Sequence, residues 1–352
     1  MKKKVIYYLP IDQKFISDWE YYQVELDMLK DLFTEVVVCN TCWDLLKNIK
    51  GSHFIYCWWW SRSIPALILG KLFQKKVFII GAIHVFDLSG VTTFFKFNWI
   101  YKFMIRFAMA FADCNLFISF DQYNQVKTHF KVKNPVTLRS SLKKTDLFDI
   151  KKILLERKRN ANDKNKIHFL TTLWHTNKQH IRKGIYESLD GIFYMNEKTQ
   201  KKFEWSIIGK DGDGVLGLKK RIKELKLEDK VKIYIDVPES EKIKFYLKSD
   251  LYIQPSWCEG FGNAVLEAMA LGVPALVSRY TSQPEVVGNT GYIAMDMRGK
   301  TIGKLLLNFV SLNNSQRNEH TKSVLKHVEK KFTYKIRLRN LKKILCENSI
   351  LT

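Results

Sequence analysis

Residues 249–278 read SDLYIQPSWCEGFGNAVLEAMALGVPALVS, and the order of elements in this run decides the fold class. LYIQP (251–255) is a short apolar stretch of strand length, and PALVS (274–278) is another. Between them, Ala264 to Leu271 has helical spacing. Asn263 is placed to cap that helix, Gly272 to end it in a left-handed turn, and Pro274 to prevent its continuation. A strand, a glycine-bearing loop, a short helix and a second strand make a parallel βαβ unit, whose ligand-binding loops lie beyond the carboxyl ends of the strands.

The same alternation runs along the chain. Strands are expected at 4–9, 35–39, 53–57, 76–81, 114–119 and 136–139, and again at 167–173, 204–209, 231–235, 251–255 and 274–278. ERKRNANDKNK (156–166) separates the two series and is polar, without apolar periodicity, as an exposed linker would be. With 352 residues, 46% of them hydrophobic, the chain exceeds the ~250–300 residues one core usually serves. Two doubly wound α/β domains are expected, over 1–155 and 167–330, followed by a lysine-rich helical tail at 331–352.

The basic excess, 58 Lys and Arg against 35 Asp and Glu for a net +23, invites an anionic partner. It is spread over both halves, and no aromatic-basic nucleic-acid module accompanies it, so nucleic acid is not expected. The six cysteines are scattered among apolar neighbours, unlike a disulfide framework, and the lone Cys39-Asn-Thr-Cys42 lacks the second ligand pair of a zinc site. The N-terminal MKKKVIYYLPIDQK has too short an apolar run for a signal peptide, and no stretch reaches the ~20 apolar residues of a membrane span. A cytoplasmic protein is the expectation.

Glu259 precedes the Gly260-Phe261-Gly262 turn, and Glu267 lies one helical turn beyond Asn263. Bare amides at a helix N-terminus favour phosphate. Two carboxylates flanking a diphosphate suit a ligand with hydroxyls at both ends, such as a nucleotide sugar. An ordinary surface pair around a glycine-rich turn fits the spacing equally well.

The run from Glu259 to Pro274 resembles the E-x7-E signature of family 4 glycosyltransferases, retaining enzymes of the GT-B fold. The likeness extends through SDLYIQPS (249–256), QPEVVGNTGYI (283–293) and IIGKDGDG (207–214), covering about 167–295, whereas the first half is only generically similar. It implies two Rossmann-like domains facing across a cleft, with the acceptor on the first and the nucleotide-sugar donor on the second. Glu267 would hold the ribose and Glu259 the donor sugar. The amides of Gly260, Phe261, Gly262 and Asn263 would lie near sugar and diphosphate. The family's Lys-Gly is Lys183-Gly184, but its preceding Arg is absent from LWHTNKQHIR (173–182), which leaves Lys178 or Arg182 to replace it. A histidine near the sugar corresponds to His84, with a structural role equally open. Asp211-Gly-Asp213-Gly matches a family loop near the nucleotide, so neither metal nor cofactor is implied. The family's glycine-rich first loop is missing from YYLPIDQKF (7–15), and WWW (58–60) could pack or touch acceptor.

The function implied is transfer of a sugar from a nucleotide sugar to a glycan or lipid-linked acceptor in bacterial cell-surface polysaccharide synthesis. A GT-B epimerase or phosphorylase and a non-catalytic basic binding protein are the alternatives. One further stretch stands out: 51–112 has seven basic residues and one acid, Asp87. Within it, 91–112 reads as an aromatic helix striped by Asn98, Lys102 and Arg106. Such a helix is either core or a docking element for an anionic membrane surface.

Overall fold

The computed structural model describes residues 4–12, 20–90, 93–143, 148–160 and 166–351. The chain divides into two units, Met1–Phe86 with Thr92–Leu147 and Phe332–Thr352, and Asp87–Val91 with Phe148–Lys331.

The first unit runs β1 (Lys4–Tyr8), α1 (Glu20–Leu32), β2 (Glu35–Cys39), α2 (Cys42–Asn48), β3 (Phe54–Trp58), α3 (Ile64–Leu72), β4 (Lys76–Gly81), α4 (Trp99–Phe111), β5 (Cys114–Phe117), α5 (Phe120–Lys127) and β6 (Pro135–Thr137). Its strands form one parallel sheet in the order β2-β1-β3-β4-β5-β6. Apolar clusters cover both faces, as a sheet flanked by crossover helices requires.

The second unit runs α6 (Ile150–Arg159), β7 (Lys166–Thr172), α7 (Asn177–Arg182), α8 (Ile185–Asn196), β8 (Lys202–Gly209), α9 (Val215–Glu224), β9 (Val231–Ile235), α10 (Glu239–Lys248), β10 (Leu251–Gln254), α11 (Asn263–Ala270), β11 (Ala275–Ser278), α12 (Gln283–Val287), β12 (Tyr292–Ala294), α13 (Gly299–Val310) and α14 (Asn314–Lys331). Its sheet is also all parallel, ordered β12-β11-β10-β7-β8-β9. From β7 the chain winds outward through β8 and β9, then returns to place β10 on the other side of β7. The β7–β10 junction is therefore the switch point, where diverging crossovers open a crevice at the strands' carboxyl ends.

Several expectations need correction. The linker at 156–166 begins inside a helix, since α6 runs to Arg159; residues 161–165 lie outside the described set. The Arg157 guanidinium donates to the carbonyls of Tyr246, Ser249 and Leu271 at the carboxyl ends of α10 and α11, where helices leave carbonyls unbonded. Burial lowers its pKa to about 10, with Asp250 opposing the shift.

The tail at 331–352 is not a separate appendage. α15 (Tyr334–Glu347) packs into the core of the first unit through Tyr334, Leu341, Ile344 and Leu345. Its Arg337 is buried, pairs with buried Glu25 and donates to the carbonyl of Arg139, while Tyr56 donates to Glu25 at 2.6 Å.

Asn263 is the first helical residue of α11, and the cap is Gly262 at φ +99°. The aromatic helix is α4 and starts at Trp99, capped by the Asn98 side chain, with a separate 3-10 turn at Phe94–Lys96; residues 91 and 92 lie outside the described set. β12, three residues long, escaped the sequence reading. Trp58 and Trp60 are buried packing residues, and Trp60 donates to Asn115 at 2.8 Å and stacks on Phe117.

Arg337→Ala should leave Glu25 as a buried charge without its guanidinium and destabilise the first unit by ~3–5 kcal/mol, read as a lower denaturant midpoint. The double variant Arg337→Met, Glu25→Gln should recover much of that loss. No recovery would mean that packing, not the stranded charge, sets the cost.

Candidate active site

The loops after β7 and β10 meet at the switch point. Lys183, at the end of α7, is buried. Its Nζ donates to the carbonyl of Thr172, the last residue of β7, at 3.2 Å, and to Gln254 Oε1, the last side chain of β10, at 3.1 Å. Burial lowers its pKa to about 8, with Glu259 opposing the shift and Arg182 adding to it. The next residue, Gly184, has φ +68°, and a Cβ there would lie 2.2 Å from the carbonyl oxygen of Pro255. Only glycine lets α7 turn into α8 against the β10 loop.

Gln254 carries the arrangement forward. Its Nε2 donates to Glu259 Oε1 at 3.1 Å, while Glu259 Oε2 lies 3.2 Å from Arg182 Nη1. Arg182 Nη1 also donates to the carbonyl of Cys258, and Trp257 N donates to the Arg182 carbonyl at 2.8 Å. The backbone around Glu259 is held from the β11 side: its N–H donates to Thr281 Oγ1 at 3.0 Å and its carbonyl accepts from Ser282 Oγ at 3.1 Å. Gln283 Nε2 donates to the Gln254 carbonyl at 2.8 Å and its Oε1 accepts from Ser256 N at 3.1 Å, joining the ends of β10 and β11.

Glu267 sits on α11, half-buried, with Oε2 3.2 Å from Lys242 Nζ and accepting from Tyr246 OH at 3.1 Å. A chain of contacts leads from there to Glu259. Tyr246 OH is 3.2 Å from Thr172 Oγ1, Thr172 N donates to Tyr252 OH at 3.2 Å, and Tyr252 OH donates to Gln254 Oε1 at 2.9 Å. Burial drives both phenols' pKa upward, and Glu267 reinforces the shift. Both stay protonated as donors.

Of the residues expected at the site, Glu259, Glu267, Lys183 and Arg182 share this region. The turn Gly260-Phe261-Gly262 leads into α11, with Phe261 buried, Asn263 exposed and no side chain capping the helix. Lys178 is exposed in the first turn of α7, and Arg182 is the cation beside Glu259. His84 lies beyond the carboxyl end of β4 in the first unit, half-buried, and its carbonyl accepts from Phe94 N at 2.7 Å.

Asp213 ties its loop to α7, accepting from Asn177 N at 2.9 Å. Beneath that loop lie two residues that no motif marked, His175 and His180. Both are buried, with Nδ1 of one 3.2 Å from Nε2 of the other. Burial and then the neighbouring His175 push the His180 pKa down to about 4, and burial lowers that of His175. Neutral imidazoles here support the loop rather than contribute charge. Gln254, Gln283, Tyr246 and Lys242 were likewise missed. Each is unremarkable in sequence and acquires a role only through partners distant along the chain. Among the described residues, no group of three or more His, Cys, Asp or Glu is placed to hold a metal ion.

Parts of the chain resemble known glycosyltransferases. The chain is 45% identical over 58 residues to O-antigen chain mannosyltransferase B of Escherichia coli, a stretch covering 16% of this chain and 15% of that protein. It is 35% identical over 114 residues to the amylovoran biosynthesis glycosyltransferase AmsK of Erwinia amylovora, covering 30% of this chain and 28% of that one. The chain thus spans less than a third of the length of either relative. The Anabaena protein Alr3699/HepE, solved in complex with UDP and glucose, superposes with a TM-score of 0.69 at 14% identity, over 98% of this chain and 100% of that one. Together with the two parallel sheets, that likeness identifies the fold as GT-B. Residues 155–322, which hold the whole network around Glu259 and Glu267, match the family model described as glycosyl transferases group 1.

Proposed function

We propose that the protein is a retaining glycosyltransferase that moves a sugar from a nucleotide-sugar donor to a glycan or lipid-linked acceptor in cell-surface polysaccharide synthesis. It would work in the cytoplasm, peripheral to the inner face of the membrane. The observation that carries this reading is the meeting of Lys183, Arg182 and Glu259 beside the glycine turn before α11, at the switch point of the second sheet. The names of the two relatives, one an O-antigen and one an amylovoran enzyme, support the substrate class.

Breaking a sugar–phosphate bond places charge on the departing nucleoside diphosphate. Preorganised positive groups stabilise such charge by roughly 3 kcal/mol per donor in comparable sites. Lys183, Arg182 and the amides of Phe261, Gly262 and Asn263 at the start of α11 take that role here. Glu267, steadied by Lys242 and Tyr246, holds the ribose hydroxyls, and Glu259, steadied by Gln254 and Arg182, holds the sugar. The acceptor attacks from the face the phosphate leaves, and the phosphate takes its proton, so neither glutamate acts as a nucleophile. With cations of the protein facing the leaving group, no metal is needed.

Glu267→Ala should weaken binding of the free nucleoside diphosphate, while Glu259→Ala should leave it nearly intact and abolish transfer. Calorimetry with the nucleotide and a transfer assay test this, and equal loss of nucleotide affinity in both variants would refute the assignment. Initial rates should survive excess EDTA, whereas Lys183→Ala should lower them roughly a hundredfold. An enzyme silenced by EDTA and restored by manganese contradicts the reading.

Lys183 also predicts opposite pH trends. Its folded pKa is about 8 against an ordinary 10.5, so between these values the unfolded chain holds a proton that the folded chain lacks. Stability of the free protein should therefore rise with pH across that window through this group. Affinity for the nucleoside diphosphate, which needs the ammonium, should fall by up to about tenfold per pH unit above 8. Both trends should vanish in Lys183→Met. A pH-independent affinity in the native protein would remove Lys183 from the phosphate site.

A further inference from the structure

α4 presents Trp99, Phe103, Phe107 and Phe111 at four-residue spacing, so they line one face of the helix. The Phe103 and Phe107 ring centroids are 5.9 Å apart and those of Phe107 and Phe111 4.5 Å. Of the four, only the half-buried Phe107 packs against the core, to which the helix turns Ile105, Ala108 and Met109. Trp99 is 76% and Phe103 60% exposed.

Beside it, Ile68 and Leu72 of α3 are also exposed, and with Phe107 and Phe111 they line a groove of about 750 Å³. Lys71, Lys75, Lys76 and Lys133 line the same groove. Asp113 is the one acid among its lining residues, and it already accepts from Val77 N at 2.9 Å and pairs with Lys133 at 3.1 Å. Arg106, one turn after Lys102 on the stripe, is exposed and lies over the rings of Phe94 and Phe130.

We propose that the α3–α4 face of the first unit docks on an anionic phospholipid bilayer. The row from Trp99 to Phe111 enters the interfacial layer, and Lys71, Lys75 and Lys76 meet lipid phosphates around the groove. An exposed aromatic row flanked by lysines supplies both signals that interfacial anchoring needs, apolar burial and a basic patch. The charge decides against a second copy of this chain, because a two-fold pairing on this face would bring the same lysines toward one another.

The test is flotation of the 352-residue chain with vesicles of phosphatidylcholine alone or mixed with phosphatidylglycerol. It needs no sugar turnover, so its outcome is independent of the catalytic assignment. The protein should float with the mixed vesicles, far less with neutral ones, and less as salt rises. Lys71→Glu with Lys75→Glu should weaken binding by at least about tenfold. Trp99→Ser with Phe103→Ser should weaken it comparably. Lys71, Trp99 and Phe103 are exposed and Lys75 is half-buried, so both variants should stay close to the native melting temperature. Undiminished flotation of either variant, or indifference to lipid charge, would overturn the proposal. A vesicle-free dimer that Trp99→Ser with Phe103→Ser dissolves would overturn it in favour of self-association.

Discussion

The ammonium of Lys183 is the point on which the second unit's site depends. A lysine this buried keeps its charge only if acceptors replace water, and two are supplied from the carboxyl ends of adjacent strands, Thr172 on β7 and Gln254 on β10. Lysine can only donate and an ionised carboxylate can only accept. The Gln254 amide, placed between Lys183 and Glu259, therefore has a single orientation that satisfies both, with Oε1 toward the lysine and Nε2 toward the glutamate. Lys183 thereby orients Glu259 through one intervening side chain. The left-handed backbone at Gly184 is the geometric condition for placing it there.

Charge balance explains why two cations can be neighbours in sequence and in space. Arg182 lowers the Lys183 pKa and Glu259 raises it, so the carboxylate offsets part of the repulsion between them. An ion pair as enclosed as Arg182–Glu259 adds little stability, because desolvation consumes most of the Coulombic gain. Its value lies in geometry: the guanidinium is held in one orientation by Gln179, Cys258 and Glu259.

Much of this was legible in the sequence, and the limits have physical causes. Glu259, the glycine turn and Glu267 lie within one strand–loop–helix, so their arrangement is local and the spacing reveals it. Which of Lys178 and Arg182 lies beside Glu259 is not a local matter. It follows from the backbone bond between Trp257 N and the Arg182 carbonyl, which brings the end of α7 against the loop that carries Glu259. Gln254 and Gln283 look like ordinary strand-end and helix-start residues until β7, β10 and β11 are placed side by side. The path of α15 was hidden for a similar reason. An amphipathic helix announces that it needs a core but not which one, and the buried pair of Arg337 with Glu25 joins residues from opposite ends of the chain.

The hydrogen bonds between the two glutamates have a direction that the chemistry of each group dictates. Glu267 can only accept, so the Tyr246 proton points at it, and the Thr172 hydroxyl has Tyr246 OH at 3.2 Å and Tyr252 OH at 3.0 Å as partners. Tyr252 accepts from Thr172 N, and its own proton is within reach of Gln254 Oε1 at 2.9 Å and the Thr172 carbonyl at 3.3 Å, both also acceptors for Lys183. Every proton thus has a consistent assignment, and each phenol is kept in its donor form by burial. A network whose members are all engaged resists side-chain rearrangement more than isolated pairs do, because turning one member strands a buried polar group in another. Thr172 is the node of this network, with its backbone and its hydroxyl both engaged. The end of β7 therefore sets the spacing between the carboxylate on the β10 loop and the carboxylate on α11, and the parallel pairing of β7 with β10 transmits that spacing to the crevice above them.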